Sequence, residues 1–132
     1  MDRSLYVALA NQASDLVEAG EHQNALQVLE QLVDSDLADF DKGVTWVNIA
    51  TVQDKMGNHT RALASYANAL ECESRTDSYL IAQQHASYLS QLGRYEESMA
   101  AYQTLIARPD VKSEDGEIFL ANLMTLIKLA GK

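Results

Sequence analysis

The chain has 132 residues, a formal net charge of −9, six glycines, one proline and one cysteine. This length suits a single domain with its own core. The few turn-forming residues argue against an all-β chain and favour an all-helical one. The acidic balance disfavours phosphate backbones and anionic lipid, so we expect no nucleic-acid partner and no membrane partner.

The acidic excess lies in the first third of the chain. Residues 1–42 hold nine acidic and two basic side chains, and the acidic ones are densest at Asp34, Asp36, Asp39 and Asp41. A solvated surface is the ordinary interpretation of such a segment, and a site for a basic partner is the alternative. Cys72 is the only cysteine, which excludes an internal disulfide and fits a reducing compartment. The N-terminal residues lack the pattern of a secretory signal, and no stretch approaches the ~20 apolar residues of a membrane span. We therefore predict a cytoplasmic protein.

Four glycines recur along the chain at intervals of 37, 36 and 38 residues: Gly20, Gly57, Gly93 and Gly131. Before each glycine, apolar residues recur at steps of three and four, as on one side of a helix. We predict that each glycine ends a helix and turns the chain with φ > 0. Second helices are predicted over 24–33, 60–70 and 96–106. Each carries a small residue followed four positions later by a large one, namely Ala25 and Leu29, Ala62 and Tyr66, Ser98 and Tyr102.

Polar segments separate the helix pairs. They begin at Ser35, Ser74 and Ser113. Serine, threonine and aspartate are preferred helix N-caps, so we expect these segments to cap the helices that follow.

The second predicted helix pair carries a recognisable motif. Trp46, Ile49 and Ala50 are followed by Ala62, Tyr66 and Ala69 at the spacing of a tetratricopeptide repeat, which this unit resembles. Gln53 departs from that pattern in this repeat, and His85 departs from it in the third repeat. The resemblance implies an all-α, right-handed superhelical solenoid over 1–132, with three helix-turn-helix repeats at about 6–39, 43–76 and 79–112. A capping helix at about 114–130 would make seven helices in all. It also implies a protein–protein interaction function, such as an adaptor or a co-chaperone-like scaffold.

The terminal helix is unusually apolar. Its apolar residues cover more than half of the circumference, whereas a pure capping helix is polar outside. A cap is the favoured interpretation. The alternatives are a homodimer formed through Phe119, Leu123 and Leu126, and a chain cut from a longer array.

Equivalent positions on the first helix of each unit form three rows. The aliphatic row is Val7, Val44, Leu80 and Ile118; the carboxamide row is Asn11, Asn48, Gln84 and Asn122; the hydroxyl row is Ser14, Thr51, Ser87 and Thr125. The resemblance implies that these rows line a concave groove. A carboxamide offers both a donor and an acceptor, which suits the backbone of an extended peptide. We predict a peptide-binding groove there, with specificity from Val44, Val47, Leu80, Asp54 and Lys55; structural packing of the carboxamides is the alternative.

Other functions have weaker support. Repeats that bind the acidic tails of heat-shock chaperones use cationic side chains, and only Asn48 agrees with their pattern. His22 and His59 stand a full repeat apart, which does not suit metal ligands on one helix, and we expect them to be packing residues. We therefore predict no catalytic residue, no metal and no cofactor. Two alternatives remain: a homo-oligomerising structural scaffold that uses the C-terminal helix, and a non-catalytic domain of a larger enzyme or assembly.

Overall fold

The structure, a computed structural model, describes residues 1–131, which form seven α-helices and no β-strand. The helices are α1 (Arg3–Glu18), α2 (His22–Val33), α3 (Asp39–Lys55), α4 (His59–Glu73), α5 (Leu80–Gln91), α6 (Tyr95–Ala107) and α7 (Ser113–Ala130). The predicted all-α repeat architecture is confirmed. The chain divides into two compact units, unit 1 (Met1–Ser78) and unit 2, which begins at Tyr79. The grouping of 1–132 as one domain stays a prediction.

Three of the four glycines turn the chain as predicted. Gly20, Gly57 and Gly93 have φ of 78°, 79° and 77°. At the first turn the Glu21 N–H donates to the Leu16 carbonyl at 2.8 Å, so carbonyls at the end of α1 are satisfied where the helix stops. Gly131 ends α7 as predicted, but the predicted φ > 0 is wrong there, because its φ of −78° is an ordinary right-handed value.

Unit 1 is built from two helix pairs. α2 packs on α1, α4 packs on α3, and α2 also contacts α3. The buried face of α2 recurs at steps of three and four residues, as expected of an amphipathic helix. The core includes Ala13, Leu26, Leu29, Leu32, Ile49 and Val52, with Trp46 partly buried against it. Burial of each such leucine or isoleucine stabilises the unit by about 1.5–3 kcal/mol.

Unit 2 is centred on Phe119, which is fully buried between α7 and the α5–α6 pair. Its ring meets Tyr79 edge-on at 6.1 Å between centroids and lies 6.0 Å from the ring of Tyr102. Leu126 is also buried, and Leu123 is partly buried against the same core. The predicted self-association through Phe119, Leu123 and Leu126 is therefore wrong. These residues, at steps of four and three, lie on the side of α7 that packs inside unit 2.

The polar segments between pairs do not cap the following helices as predicted. The hydroxyls of Ser74 and Thr76 donate instead to carbonyls at the end of α4, at 2.6 and 2.8 Å. Ser35 does the same at the end of α2. The N-cap positions of α3, α5 and α7 are Ala38, Tyr79 and Lys112, none with a side-chain cap bond. Free carbonyls at a helix C-terminus need hydrogen-bond donors, and these hydroxyls supply them.

Candidate functional site

A groove runs between α1 and α3 in unit 1. It encloses a cavity of about 280 Å³. Its lining, here called the α1–α3 groove, consists of Ala10, Ala13, Ser14 and Val17 from α1, Leu29 from α2, and Asn48, Thr51 and Val52 from α3. Three residues of the predicted peptide site, Ser14, Asn48 and Thr51, thus line one cavity.

The helix register explains which side chains face this groove. On α3, Val44, Asn48, Thr51 and Lys55 are spaced by four, three and four residues and share one side of the helix. On α1, Ala10 and Ala13 lie near Ser14 and have only a methyl group each, so the space between the helices stays open. Asn11 is exposed but does not line the cavity.

The groove has an apolar floor and a polar rim. Ala13, Leu29 and Val52 form the floor, and none is more than 3% exposed. On the rim, the Thr51 hydroxyl donates to the Val47 carbonyl at 3.0 Å, which uses its one donor. The exposed Asn48 side chain makes no hydrogen bond with any other residue in 1–131, so its donors and its acceptor are available to a ligand.

Two predicted specificity residues are otherwise engaged. Val47 is only 8% exposed, so the prediction that it contacts a peptide is wrong. The Asp54 carboxylate lies 2.9 Å from Nδ1 of His59, and this contact joins the end of α3 to the start of α4. His59 is exposed, so its prediction as a packing residue is also wrong. Its counterpart His22 is partly buried.

The remaining predicted groove residues lie outside the α1–α3 groove. Val7 and Leu80 are each nearly half exposed, Val44 is partly buried, and Lys55 and Gln84 are exposed. None of them lines this cavity.

Unit 2 holds a smaller cavity of about 160 Å³. Its lining residues are Ser87, Ser90, Tyr102, Asn122, Thr125, Leu126 and Leu129. Nδ2 of Asn122 donates to the hydroxyl oxygen of Tyr102 at 3.3 Å. Asn122 therefore has an internal partner that Asn48 lacks. The two members of the carboxamide row differ in what they can offer a ligand.

The potentially reactive side chains are poorly placed for chemistry. Cys72 is 4% exposed, and burial raises the pKa of its thiol, which keeps it protonated and unreactive. His85 is partly buried, and burial lowers its pKa. Within residues 1–131, no group of three or more His, Cys, Asp or Glu could hold a metal ion.

Part of the acidic segment is paired within unit 1. Asp39 accepts a hydrogen bond from Nε of Arg75 at 3.1 Å, and Asp41 accepts one from Arg3 at 3.1 Å. These contacts engage two of the four clustered carboxylates, whereas Asp34 and Asp36, which are both exposed, remain open to a basic partner. No helix in the described part of the chain is long and apolar enough to cross a membrane.

Sequence reasoning missed several lining residues, among them Ala10, Val17 and Leu29. Ala10 and Ala13 carried a signal, because small side chains on a helix that packs beside another leave space between them. Val17 and Leu29 carried none, since an apolar residue that lines a cavity looks the same in sequence as one in a filled core.

Comparisons with known proteins agree with this fold. The family model of the tetratricopeptide repeat matches residues 44–74 and 81–108. A search of curated proteins found no significant match. Among solved structures, the type III secretion translocator chaperone SycD of Yersinia enterocolitica is similar, with a TM-score of 0.67 and 18% identity over 100% of this chain and 90% of that one. SycD in complex with a peptide of the translocator YopD gives a TM-score of 0.67 and 19% identity over 99% and 98% of the two chains.

At these identities, the likeness to solved structures concerns the fold. The family matches cover the α3–α4 and α5–α6 pairs and leave the predicted repeat at 6–39 unmatched. That first repeat stays a prediction. Residues 44–74 and 81–108 therefore match the tetratricopeptide-repeat family, and the helix-turn-helix architecture of the described residues agrees with that match.

Proposed function

We propose that this protein is a protein–protein interaction module that binds an extended peptide segment in the α1–α3 groove. The observation that carries the proposal is the combination of a buried apolar floor with an exposed carboxamide, Asn48, that has no partner within the described residues. Peptide recognition needs both features. Backbone hydrogen bonds orient the ligand, and a buried side chain supplies most of the affinity.

The cavity is of the right size for one anchoring side chain. A cavity of about 150 Å³ lined by apolar residues can hold a benzene ring, and the α1–α3 groove encloses about 280 Å³. This volume is just below the roughly 300–1,000 Å³ that is usual for the pockets of drug-sized ligands. A large aliphatic or aromatic residue of a peptide would fill it, with its side chain on Ala13, Leu29 and Val52.

The amide of Asn48 would then contact the peptide backbone beside that anchor. Its oxygen can accept from a backbone N–H, and its nitrogen can donate to a backbone carbonyl. This arrangement recognises backbone and needs no particular neighbouring sequence. The structural likeness to SycD supports this proposal, because that chaperone was solved with a translocator peptide bound.

Site-specific crosslinking tests the proposal whatever the identity of the partner. A photoreactive residue would replace Ser14 on the groove rim, and a matched one would replace Asn68, which is exposed on α4 away from the groove. We expect Ser14 to capture a defined peptide segment that contains a large apolar residue, and Asn68 not to capture it. Equal capture from both positions, or none from Ser14, would contradict groove binding.

A homo-oligomerising scaffold is the second candidate function. The observation that favours it is the exposed apolar side of α7, where Leu120, Met124 and Ile127 are 50%, 56% and 55% exposed. Surfaces of this kind often mark sites of association. Sedimentation at increasing protein concentration separates a scaffold, whose mass rises, from a monomeric adaptor.

We expect the proposed role to be non-enzymatic. Cys72 is a buried free thiol, and the three histidines, His22, His59 and His85, stand far apart in the sequence. The expected cytoplasmic location rests on this single cysteine. As further predictions from the acidic charge, we expect neither nucleic acid nor a membrane surface among the partners.

A further inference from the structure

One side of α7 is apolar and uncovered. Leu120, Met124 and Ile127 are 50%, 56% and 55% exposed. They stand four and three residues apart, so they form one stripe along the helix, here called the α7 stripe. Phe119 and Leu126, by contrast, are buried in the core of unit 2. An exposed stripe of three large apolar side chains on one helix is a candidate association surface.

The helix register shows what normally covers this side. Met124 occupies the position of Ala13, Ala50 and Ala86 in the three helix pairs, and those alanines are at most 2% exposed. In the third pair, the Ser98 hydroxyl of α6 donates to the Ala86 carbonyl of α5 at 2.6 Å. The second helix therefore crosses close to this alanine. A methionine there would hold such a helix farther away, because the distance between helix axes depends on the side chains at the contact.

Two charged residues flank the α7 stripe. Glu117 and Lys128 are about three helical turns apart and lie on one side of α7, next to the stripe. Both are exposed, and neither has an ion pair within residues 1–131. The midpoint between them falls at residues 122–123, inside the stripe, which runs from 120 to 127.

This pattern is self-complementary for antiparallel helices. When two copies of one helix pack antiparallel about a two-fold axis, the same flank of each copy faces the other. A two-fold axis near residues 122–123 would bring Glu117 of each copy beside Lys128 of the other. In a parallel pair the two-fold axis would put these flanks on opposite sides of the interface, so Glu117 of one copy would not meet Lys128 of the other. The order acid, apolar stripe, base therefore favours an antiparallel pair of α7 helices.

We propose that α7 docks against α7 of a second copy of this chain, antiparallel, through Leu120, Met124 and Ile127, with two symmetric Glu117–Lys128 ion pairs. The partner is thus a second copy and not a fourth helix pair. The interface is small, so the dimer forms in a concentration-dependent equilibrium and is weak. It uses neither Phe119 nor the α1–α3 groove, so it stands or falls independently of peptide binding.

Charge reversal tests both the partner and the direction of the helices. Sedimentation equilibrium would compare the full chain with Glu117→Lys, Lys128→Glu and an equimolar mixture of the two variants. Reversal of either charge replaces two attractions by two repulsions, and we expect about tenfold weaker dimerisation for each variant alone. The mixture should regain wild-type association, since every pair across a mixed dimer is again of opposite sign. Glu30→Lys, at an exposed position on α2, is the control for net charge and should dimerise like the wild type.

Three results would overturn the proposal. The first is a wild-type mass that stays monomeric at millimolar concentration, which would leave the α7 stripe to a different protein or to a further helix. The second is an association of the wild type that neither charge reversal changes. The third is a mixture that associates no better than its components. Circular dichroism of each variant establishes that the helices are intact.

Discussion

The hydroxyl of Ser98 donates a 2.6 Å hydrogen bond to the carbonyl of Ala86, and both residues are completely buried. This bond joins the two helices of the third pair where they cross, since Ser98 lies on α6 and Ala86 on α5. Small residues recur at both positions in the other two pairs, with Ala25 and Ala62 in the place of Ser98. The small-then-large pattern of the sequence thus has a structural reason, which is close helix crossing.

Ala86→Leu should destabilise the protein because the crossing leaves no room for three more carbon atoms. We expect the free energy of unfolding to fall by about 1–3 kcal/mol, as measured by urea denaturation. Met124→Leu is the matched control, because Met124 has the same register position on α7 but is exposed. Met124→Leu should change the free energy of unfolding by no more than about 0.5 kcal/mol. Equal losses for the two variants would contradict the assigned register.

Gly57→Ala should destabilise through the backbone alone. A Cβ at Gly57 would meet no atom within 4 Å, but the residue has φ of 79°, a left-handed conformation that L-residues rarely adopt. We expect a loss of about 1–2 kcal/mol. Gly116 lies within α7, where a Cβ would make an ordinary 3.9 Å contact with Val111. Gly116→Ala should therefore stabilise the protein by about 0.5–1 kcal/mol. Thermal unfolding of both variants measures the contrast, and a stabilising Gly57→Ala would argue against the turn geometry.

His85 should make stability depend on pH in a defined direction. Burial lowers its pKa from 6.5 in the folded state, with Glu97 acting to raise the pKa and Arg94 to lower it. Below pH 6.5 the unfolded chain binds more protons at this residue than the folded chain. The free energy of unfolding therefore falls as pH drops from neutrality through 6.5 towards the folded-state value.

The difference between wild type and His85→Leu isolates this contribution. We expect the variant to lose less stability than the wild type in urea titrations from about pH 7.5 to about pH 5.5. Leucine cannot titrate, and an aliphatic residue suits this partly buried position. Parallel pH profiles for the two proteins would show that His85 does not carry the effect.

The sequence predicted the helix pairs and their turns well because both have local physical causes. Gly20, Gly57 and Gly93 stand where the chain needs φ > 0, and the apolar steps of three and four identify the packed faces. The prediction that the polar segments cap the following helices is wrong, because a serine between two helices can form a hydrogen bond with either helix. Ser74 bonds the helix before it.

The side of α7 that packs inward could not be predicted from its own sequence. Apolar residues surround this helix, so its periodicity does not separate Phe119, which is buried, from Leu120, which is exposed. Only part of the candidate site could be predicted, for a related reason. Asn48 and Thr51 follow from register on α3, whereas the burial of Val47 depends on how closely other helices pack around it.

Titration calorimetry with the crosslinked peptide tests the central claim most directly. The peptide captured at Ser14 would be synthesised and titrated into the wild type, Asn48→Ala and the control Asn68→Ala. Loss of two backbone hydrogen bonds at Asn48 should weaken binding about tenfold or more, while Asn68→Ala binds as the wild type does. Circular dichroism and thermal unfolding should be unchanged for both variants, since both side chains are exposed. Unchanged affinity for Asn48→Ala would contradict the account of the α1–α3 groove as the peptide-binding site.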